Sequence, residues 1–220
     1  MAGGVNLAGA SSGGINWPES TPAESESMKR ATYEDVLNAP ENKVAEILDG
    51  ELVLSPRPRA QHALTSSELG MAIGTPFHRG IGGPGGWWIL DEPELHLGDE
   101  TLVPDLAGWR RERMPAVPDV AFFTLAPDWV CEVLSPSTER FDRGKKLKAY
   151  AAAGVTYAWL VKPSDRTLEV LRLREGAWTI VAVSEDTAVV RAEPFEAIEL
   201  ALGPLWADPT PPAPSSPDAG

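Results

Sequence analysis

Pro127 to Val161 reads PDWVCEVLSPSTERFDRGKKLKAYAAAGVTYAWLV. Apolar runs at Trp129 to Leu134 and Tyr157 to Val161 predict two buried strands. Between them lie a Ser/Pro/Thr turn and a charged helical stretch ending near Gly154. A strand, a helix and a second strand in the middle of a strand-rich chain predict a mixed sheet with helices packed on it, so this stretch sets the fold class. One residue breaks the apolar pattern. Glu132 sits inside the first run, where an unpaired carboxylate would cost several kcal/mol.

Three things can stabilise such a carboxylate: a cation, a hydrogen-bond network or a metal ion. The helix offers the cation. Asp142, Lys146 and Tyr150 are spaced four apart and share one stripe, which would aim Lys146 at the sheet end carrying Glu132. A hard divalent ion would instead need a second carboxylate from a neighbouring strand.

The composition narrows the class. A chain of 220 residues with 43% apolar content predicts one domain with tails. Cys131 is the single cysteine, so there is no disulfide framework, which suits a reducing cytoplasm. Residues 1–27 contain no Lys or Arg and no continuous apolar run, unlike a secretory signal or membrane anchor. No later run approaches the ~18 apolar residues of a membrane span. The net charge of −13 argues against a polyanionic partner. Residues 104–174, however, hold 12 of the 19 basic residues against 9 acids, which allows a local basic face around Glu132.

Along the chain, residues 1–27 (Gly/Ser/Ala/Glu-rich) and 207–220 (Pro-rich) read as disordered tails, leaving a folded unit at 28–206. A short helix is expected at Thr32 to Leu37, capped by Thr32. A hairpin is expected at Val44 to Leu54 around Asp49-Gly50, with Glu51 at the entry of its second strand. After a Pro-containing turn at Ser55 to Arg59, a helix is expected from Gln61 to about Ile73. His78 to Gly86, with five glycines in nine residues, reads as a mobile loop. Strands follow at Trp87 to Leu90, Glu94 to Leu97 and Leu102 to Trp109. A second hairpin is expected at Thr167 to Val183, then short elements at Thr187 to Arg191 and Phe195 to Leu200. The expectation is an α/β (α+β mixed) domain: a mixed central sheet flanked by helices, with an N-terminal β-hairpin.

Asp105, Asp119 and Asp128 each follow a proline and compete to partner Glu132. Asp128 lies four residues away on the same strand, roughly 13 Å at about 3.3 Å per residue. Metal–oxygen bonds of about 2.1 to 2.5 Å cannot bridge that span. Asp119 follows the polar RRERMPAVP connection, whereas Asp105 ends an apolar alternating segment and is favoured. The alternative is that Asp105 is a turn residue, a common use of Pro-Asp.

The order Asp49-Gly50-Glu51, Pro104-Asp105, EVLSPST at 132–138, Asp142, Lys146-Leu147, Tyr150 and Ala153-Gly154-Val155 resembles the Uma-two family of restriction-endonuclease-like proteins. That family is a branch of the PD-(D/E)XK nuclease superfamily. The resemblance covers most of residues 28–173. It implies a restriction-endonuclease-like fold and Mg²⁺-dependent phosphodiester hydrolysis, with Mn²⁺ as a substitute and Asp105 and Glu132 as metal ligands. The superfamily lysine two residues after the acidic ligand is replaced here by Leu134. In the Uma-two branch the helical lysine matches, so Lys146 inherits the role by position. Tyr157-Ala158-Trp159 and Lys162 also depart from the usual pattern.

The resemblance gives Lys146 the task of orienting water and stabilising developing charge. The plain alternative is an ion pair with Asp142. Glu51 is a candidate third carboxylate acting through water, or simply strand polarity. His62 is a candidate phosphate contact, or a helix-surface histidine. Asp142 and Tyr150 are supporting candidates. Ser135 and Ser137, without a neighbouring histidine or a nucleophile elbow, read as turn-formers. The expectation is a cytoplasmic, metal-dependent endonuclease acting on DNA ahead of RNA, with no membrane contact. A homodimer would suit cutting of both strands. The rivals are a catalytically silent binding module of the same fold and a metal-dependent hydrolase of a small phosphate ester.

Overall fold

The structure is a computed structural model that describes residues 30–206. Both expected tails lie outside the described residues. The chain opens with α1 (Tyr33–Leu37), whose Thr32 cap exchanges bonds with Asp35. β1 (Lys43–Leu48) and β2 (Glu51–Pro56) form the expected hairpin. Asp49 and Gly50 both take positive φ (55° and 79°), the type I′ geometry that matches strand twist.

After the Pro-containing turn comes α2 (Ala60–Ile73), continued by a π-helical turn at Gly74–His78. The glycine-rich segment that follows is fastened at several points. Ile81 N–H donates to Thr75 O (3.0 Å), Gly85 N–H to Pro76 O (2.9 Å) and Arg111 Nη2 to His78 O (2.8 Å).

β3 (Trp87–Asp91) and β4 (Leu95–Leu97) follow. The single strand expected at Leu102 to Trp109 is two strands, β5 (Glu100–Leu102) and β6 (Leu106–Arg110), which join different sheets. Pro104 has no N–H to give a ladder, which explains the break. At the break, Val103 N–H donates to the Glu46 side chain (2.8 Å) instead of to a strand.

β7 (Trp129–Val133) leads into α3 (Glu139–Phe141), a π-helical turn at Asp142–Lys146 and α4 (Leu147–Ala152), one continuous helical run. It begins at Glu139, which puts Asp142 at the end of its first turn. Gly154 ends it with φ 77°. β8 (Tyr157–Lys162) returns parallel to β7. β9 (Thr167–Arg174) and β10 (Ala177–Glu185) form the second hairpin. β11 (Val189–Val190) and β12 (Leu200–Ala201) pair with each other, so the Phe195 to Leu200 segment is mostly irregular.

The six-stranded sheet runs β10-β9-β8-β7-β6-β3 and is antiparallel except at β7–β8. A second sheet, β2-β1-β5-β4, packs beside it. The fold is therefore the expected mixed α/β arrangement, with its strands divided between two main sheets.

Alternation along β7 decides which face each residue serves. Trp129, Cys131 and Val133 join α2, Trp159 and Phe195 in one core. Val130 and Leu134 join Leu48, Leu102, Leu147 and Tyr150 in the other. Glu132 shares the parity of Val130 and Leu134, so it faces the crossover helix and the smaller sheet.

Gly108 sits where β3, β6 and β7 meet. A Cβ there would lie 3.0 Å from Ile89 Cδ1, 3.2 Å from Trp129 Cε3 and 3.3 Å from Trp87 Cε3. Gly108→Ala should therefore cost about 1 to 3 kcal/mol through overpacking, read as a lower urea midpoint with an unchanged m-value. A midpoint equal to that of the wild type would contradict this packing.

Candidate functional site

The break between β5 and β6 and the end of β7 meet at a cleft of about 510 Å³. Strand register brings the two favoured carboxylates together. Leu106 opposes Cys131 and Ala107 opposes Val130, so Asp105 comes opposite Glu132 one step past the last paired residues. Like charges placed directly across strands repel, and other groups must hold them there.

The holders can be named. Asp105 Oδ2 accepts Val133 N–H (2.6 Å), and Oδ1 lies 3.3 Å from His62 Nε2. Glu132 Oε2 accepts from Lys146 Nζ (2.8 Å) and Oε1 from the Tyr150 hydroxyl (2.6 Å). Lys146 Nζ also reaches Val103 O (3.1 Å), Glu46 Oε1 (3.2 Å) and Asp142 Oδ1 (3.7 Å). Glu46, Glu132, Asp142 and Lys146 are all about 95% buried or more.

The electrostatics follow from that burial. Desolvation pushes the Glu132 carboxyl well above its usual range against the pull of Lys146, with Asp142, Asp105 and Glu46 adding to the rise. Burial also lifts Asp142 to about 6, opposed by Lys146 and by a bond from Thr138. Desolvation works against charge on Lys146, but Glu132, then Glu46, Tyr150 and Asp142 outweigh it and hold the ammonium protonated. For His62, burial lowers basicity, yet Asp105 more than offsets it and the net direction is upward. Cys131 is buried, and desolvation raises its thiol well above normal, so it is no ready nucleophile.

Asp105, Glu132, Asp142, Lys146, Tyr150 and His62 thus gather in one cluster. Glu51 does not join them. It is exposed, pairs with Lys145 (2.5 Å) and lies outside the cleft lining. The third carboxylate is Glu46 on β1, which the sequence reading missed. Its signal was present: a glutamate inside KVAEIL is the same anomaly as Glu132 inside its apolar run. Ser135 and Ser137 bond each other (2.9 Å), and Ser135 bonds Thr138 (3.0 Å), as turn-formers do. Asp128 accepts Arg110 N–H (2.8 Å) and pairs with Arg113 (3.0 Å), a structural use.

The donor set suits a hard cation. Three carboxylates, Glu46, Glu132 and Asp142, converge on a single lysine, with Asp105 facing Glu132 beside them, and every carboxylate donor is oxygen. Among the described residues no group of three or more His, Cys, Asp or Glu is arranged to hold a metal ion. Mg²⁺ asks for less: one or two carboxylates, with waters and phosphate oxygens completing its shell. Asp105 and Glu132 are the pair that could supply them.

A mixed sheet with facing carboxylates at a strand end, a crossover helix and a buried lysine defines a nuclease-like fold. Comparison with known proteins agrees. Residues 30–203 match the Uma2 family, described as "Putative restriction endonuclease", and the chain belongs to that family. It is similar to a crystal structure from Anabaena variabilis ATCC 29413, described as "a putative nuclease belonging to DUF820". The identity is 24%, covering 80% of this chain and 97% of that one, with a TM-score of 0.64. No curated protein matches. No helix among the described residues is long and apolar enough to cross a membrane.

The lifted Asp142 carboxyl ties stability to pH. Its folded-state value of about 6 exceeds the ordinary 3.8, so the folded protein binds the extra proton. Its contribution is complete below about pH 4 and is lost as pH rises through 6, amounting to about 3 kcal/mol. In chelator-containing buffer, urea unfolding from about pH 4 to 7 should show this decline. Asp142→Asn should flatten it, and an unchanged slope in that variant would contradict the assignment.

Proposed function

We propose that this protein is a divalent-cation-dependent nuclease that hydrolyses phosphodiester bonds, with DNA as its substrate. The observation that carries this reading is the placement of Asp105 opposite Glu132 in a cleft with surplus negative charge and one lysine. Choosing DNA over RNA rests on the family description alone.

Asp105 and Glu132 would hold Mg²⁺ or Mn²⁺, which when bound polarises the scissile phosphate and acidifies a water. The chain's own residues prepare that arrangement. Val133 N–H and His62 fix the Asp105 carboxylate from two sides. Tyr150 and Lys146 fix Glu132, one on each oxygen. Such supporting contacts keep ligands from swinging away when charge is drawn off them.

Lys146 acts chiefly as a fixed charge. Two of its N–H groups are donated to Glu132 Oε2 and Val103 O, and Glu46 Oε1 lies 3.2 Å away as an ion-pair partner. As the one ammonium beside the reacting phosphate, it offsets part of the negative charge that grows in the transition state.

Because each Glu132 oxygen already accepts a hydrogen bond from the protein, a second reading is a silent binding module of the same fold. One experiment separates the two. Purified protein is incubated with supercoiled plasmid and Mg²⁺ or Mn²⁺, beside the near-isosteric variants Asp105→Asn and Glu132→Gln. Cleavage should need the metal and fall at least about 100-fold in each variant, with circular dichroism unchanged. Cleavage that survives both substitutions would reject the site. Salt-sensitive plasmid binding without any cleavage would establish the silent module instead.

A further inference from the structure

The cleft that would take a phosphodiester is itself rich in carboxylates, so something at its mouth must offset their repulsion of a polyanion. Three Lys or Arg residues line it: Lys146, Arg57 and Arg59. Lys146 is unavailable, being buried and committed to Glu132, Glu46, Asp142 and Val103 O. The two arginines are differently placed. Arg57 is exposed, and its carboxylate neighbour, Glu92, is equally open to water at 3.8 Å. Exposed pairs of that length hold a side chain weakly. Arg59 is exposed and makes no ion pair among the described residues.

The backbone that carries them is stiff. The segment reads Ser55-Pro56-Arg57-Pro58-Arg59. Each proline fixes its own φ, and Pro58 confines Arg57 to extended conformations. Arg59 is extended too (φ −77°, ψ 163°) and forms the N-cap of α2. α2 starts without a capping side chain or an acidic residue in its first turn, and its Gln61 and His62 line the same mouth. The helix end therefore adds partial positive charge where the arginines stand. An arginine fork binds phosphate oxygens through two parallel N–H groups, and a rigid carrier lowers the entropy cost of holding it there.

We infer that Arg57 and Arg59, presented by the stiff Pro56–Arg59 segment, form a phosphate clamp. It grips the backbone of the substrate strand on either side of the scissile bond. The clamp reads phosphates and not bases, so it gives affinity without sequence preference. The inference rests on the nuclease reading and supplies what the acidic cleft lacks, a way to hold its substrate.

The test measures binding by fluorescence anisotropy, with Ca²⁺ present and a fluorescein-labelled DNA probe offered as duplex and as single strand. Affinity is followed across a salt series for wild type, Arg57→Gln/Arg59→Gln and a charge-matched control, Arg79→Gln/Arg174→Gln, at exposed positions outside the cleft. The clamp variant should flatten the plot of log affinity against log salt by about 1.4 to 1.8, the share of two phosphates. It should bind roughly tenfold or more weakly at moderate salt, while the control follows the wild type. Equal slopes in clamp variant and wild type would overturn the clamp and leave the nuclease reading standing. Absence of salt-sensitive binding by the wild type to either probe would overturn both.

Discussion

The structure depends on one buried ammonium. Lys146 reaches Glu132 on β7, Glu46 on β1, the Val103 carbonyl between β5 and β6, and Asp142 on its own helix. These contacts join both main sheets and the crossover helix at one point. Removing one partner of a buried ion pair typically costs about 3 to 5 kcal/mol, because the other charge is left stranded. Here the imbalance runs the other way as well, since three carboxylates share one lysine. Burial chiefly, with the neighbouring carboxylates adding to it, raises the Glu132 and Asp142 carboxyls, so protons can relieve part of that surplus. A divalent cation would relieve it without protonation. The constraint that holds the fold together is thus also the one that leaves the site short of positive charge.

The surplus exists because the chain breaks a strand where it could have continued one. Pro104 ends pairing after Leu102, and the chain crosses from the smaller sheet to the larger before Leu106. Within those three residues, Val103 N–H turns to Glu46 and Asp105 turns to Val133 N–H. The backbone donors left over by the break are thereby used to fix acidic side chains. β7 then supplies Glu132 by parity, and the β7–helix–β8 crossover lays Lys146 and Tyr150 over that face. Glu132 stands on β7 and Asp105 one residue before β6, pinned by Val133 N–H, so both carboxylates are held at the edge of the sheet.

Much of this was legible in the residues. A glutamate in an apolar run demands a partner, and the four-residue stripe of Asp142, Lys146 and Tyr150 supplied one. Pro104 also carried its message, since proline inside a central strand argues against that strand, yet Leu102 to Trp109 was read as continuous. Glu51 drew notice by standing at the entry of a hairpin strand, whereas Glu46 lies inside one. Burial distinguishes them: Glu46 is 5% exposed, whereas Glu51 faces solvent. The π-helical turn at Asp142–Lys146 has no local signature, because i→i+5 bonding is selected by what the helix packs against. The division into two main sheets is likewise a matter of long-range pairing, which periodicity does not encode.

Charge is where counting along the chain misleads most. Residues 104–174 carry a local excess of +3, which suggested a basic face near Glu132. In the folded protein those cations are largely spent on acids, some from the same segment and some brought in from elsewhere. Lys145 goes to Glu51, Lys148 to Asp49, Arg172 to Glu193, and Arg143 to Glu139 and Glu169. Arg110 and Arg111 lie over Trp87 and Trp88. Folding therefore neutralises the basic segment with acids from the flanking segments as well as its own. The cations left at the cleft mouth, Arg57 and Arg59, come from residues 28–103, which are acidic by count. What an anion meets is set by which charges remain unpaired or only weakly paired after folding, and at the cleft mouth those stand on a proline-stiffened extended segment beside a helix N-terminus.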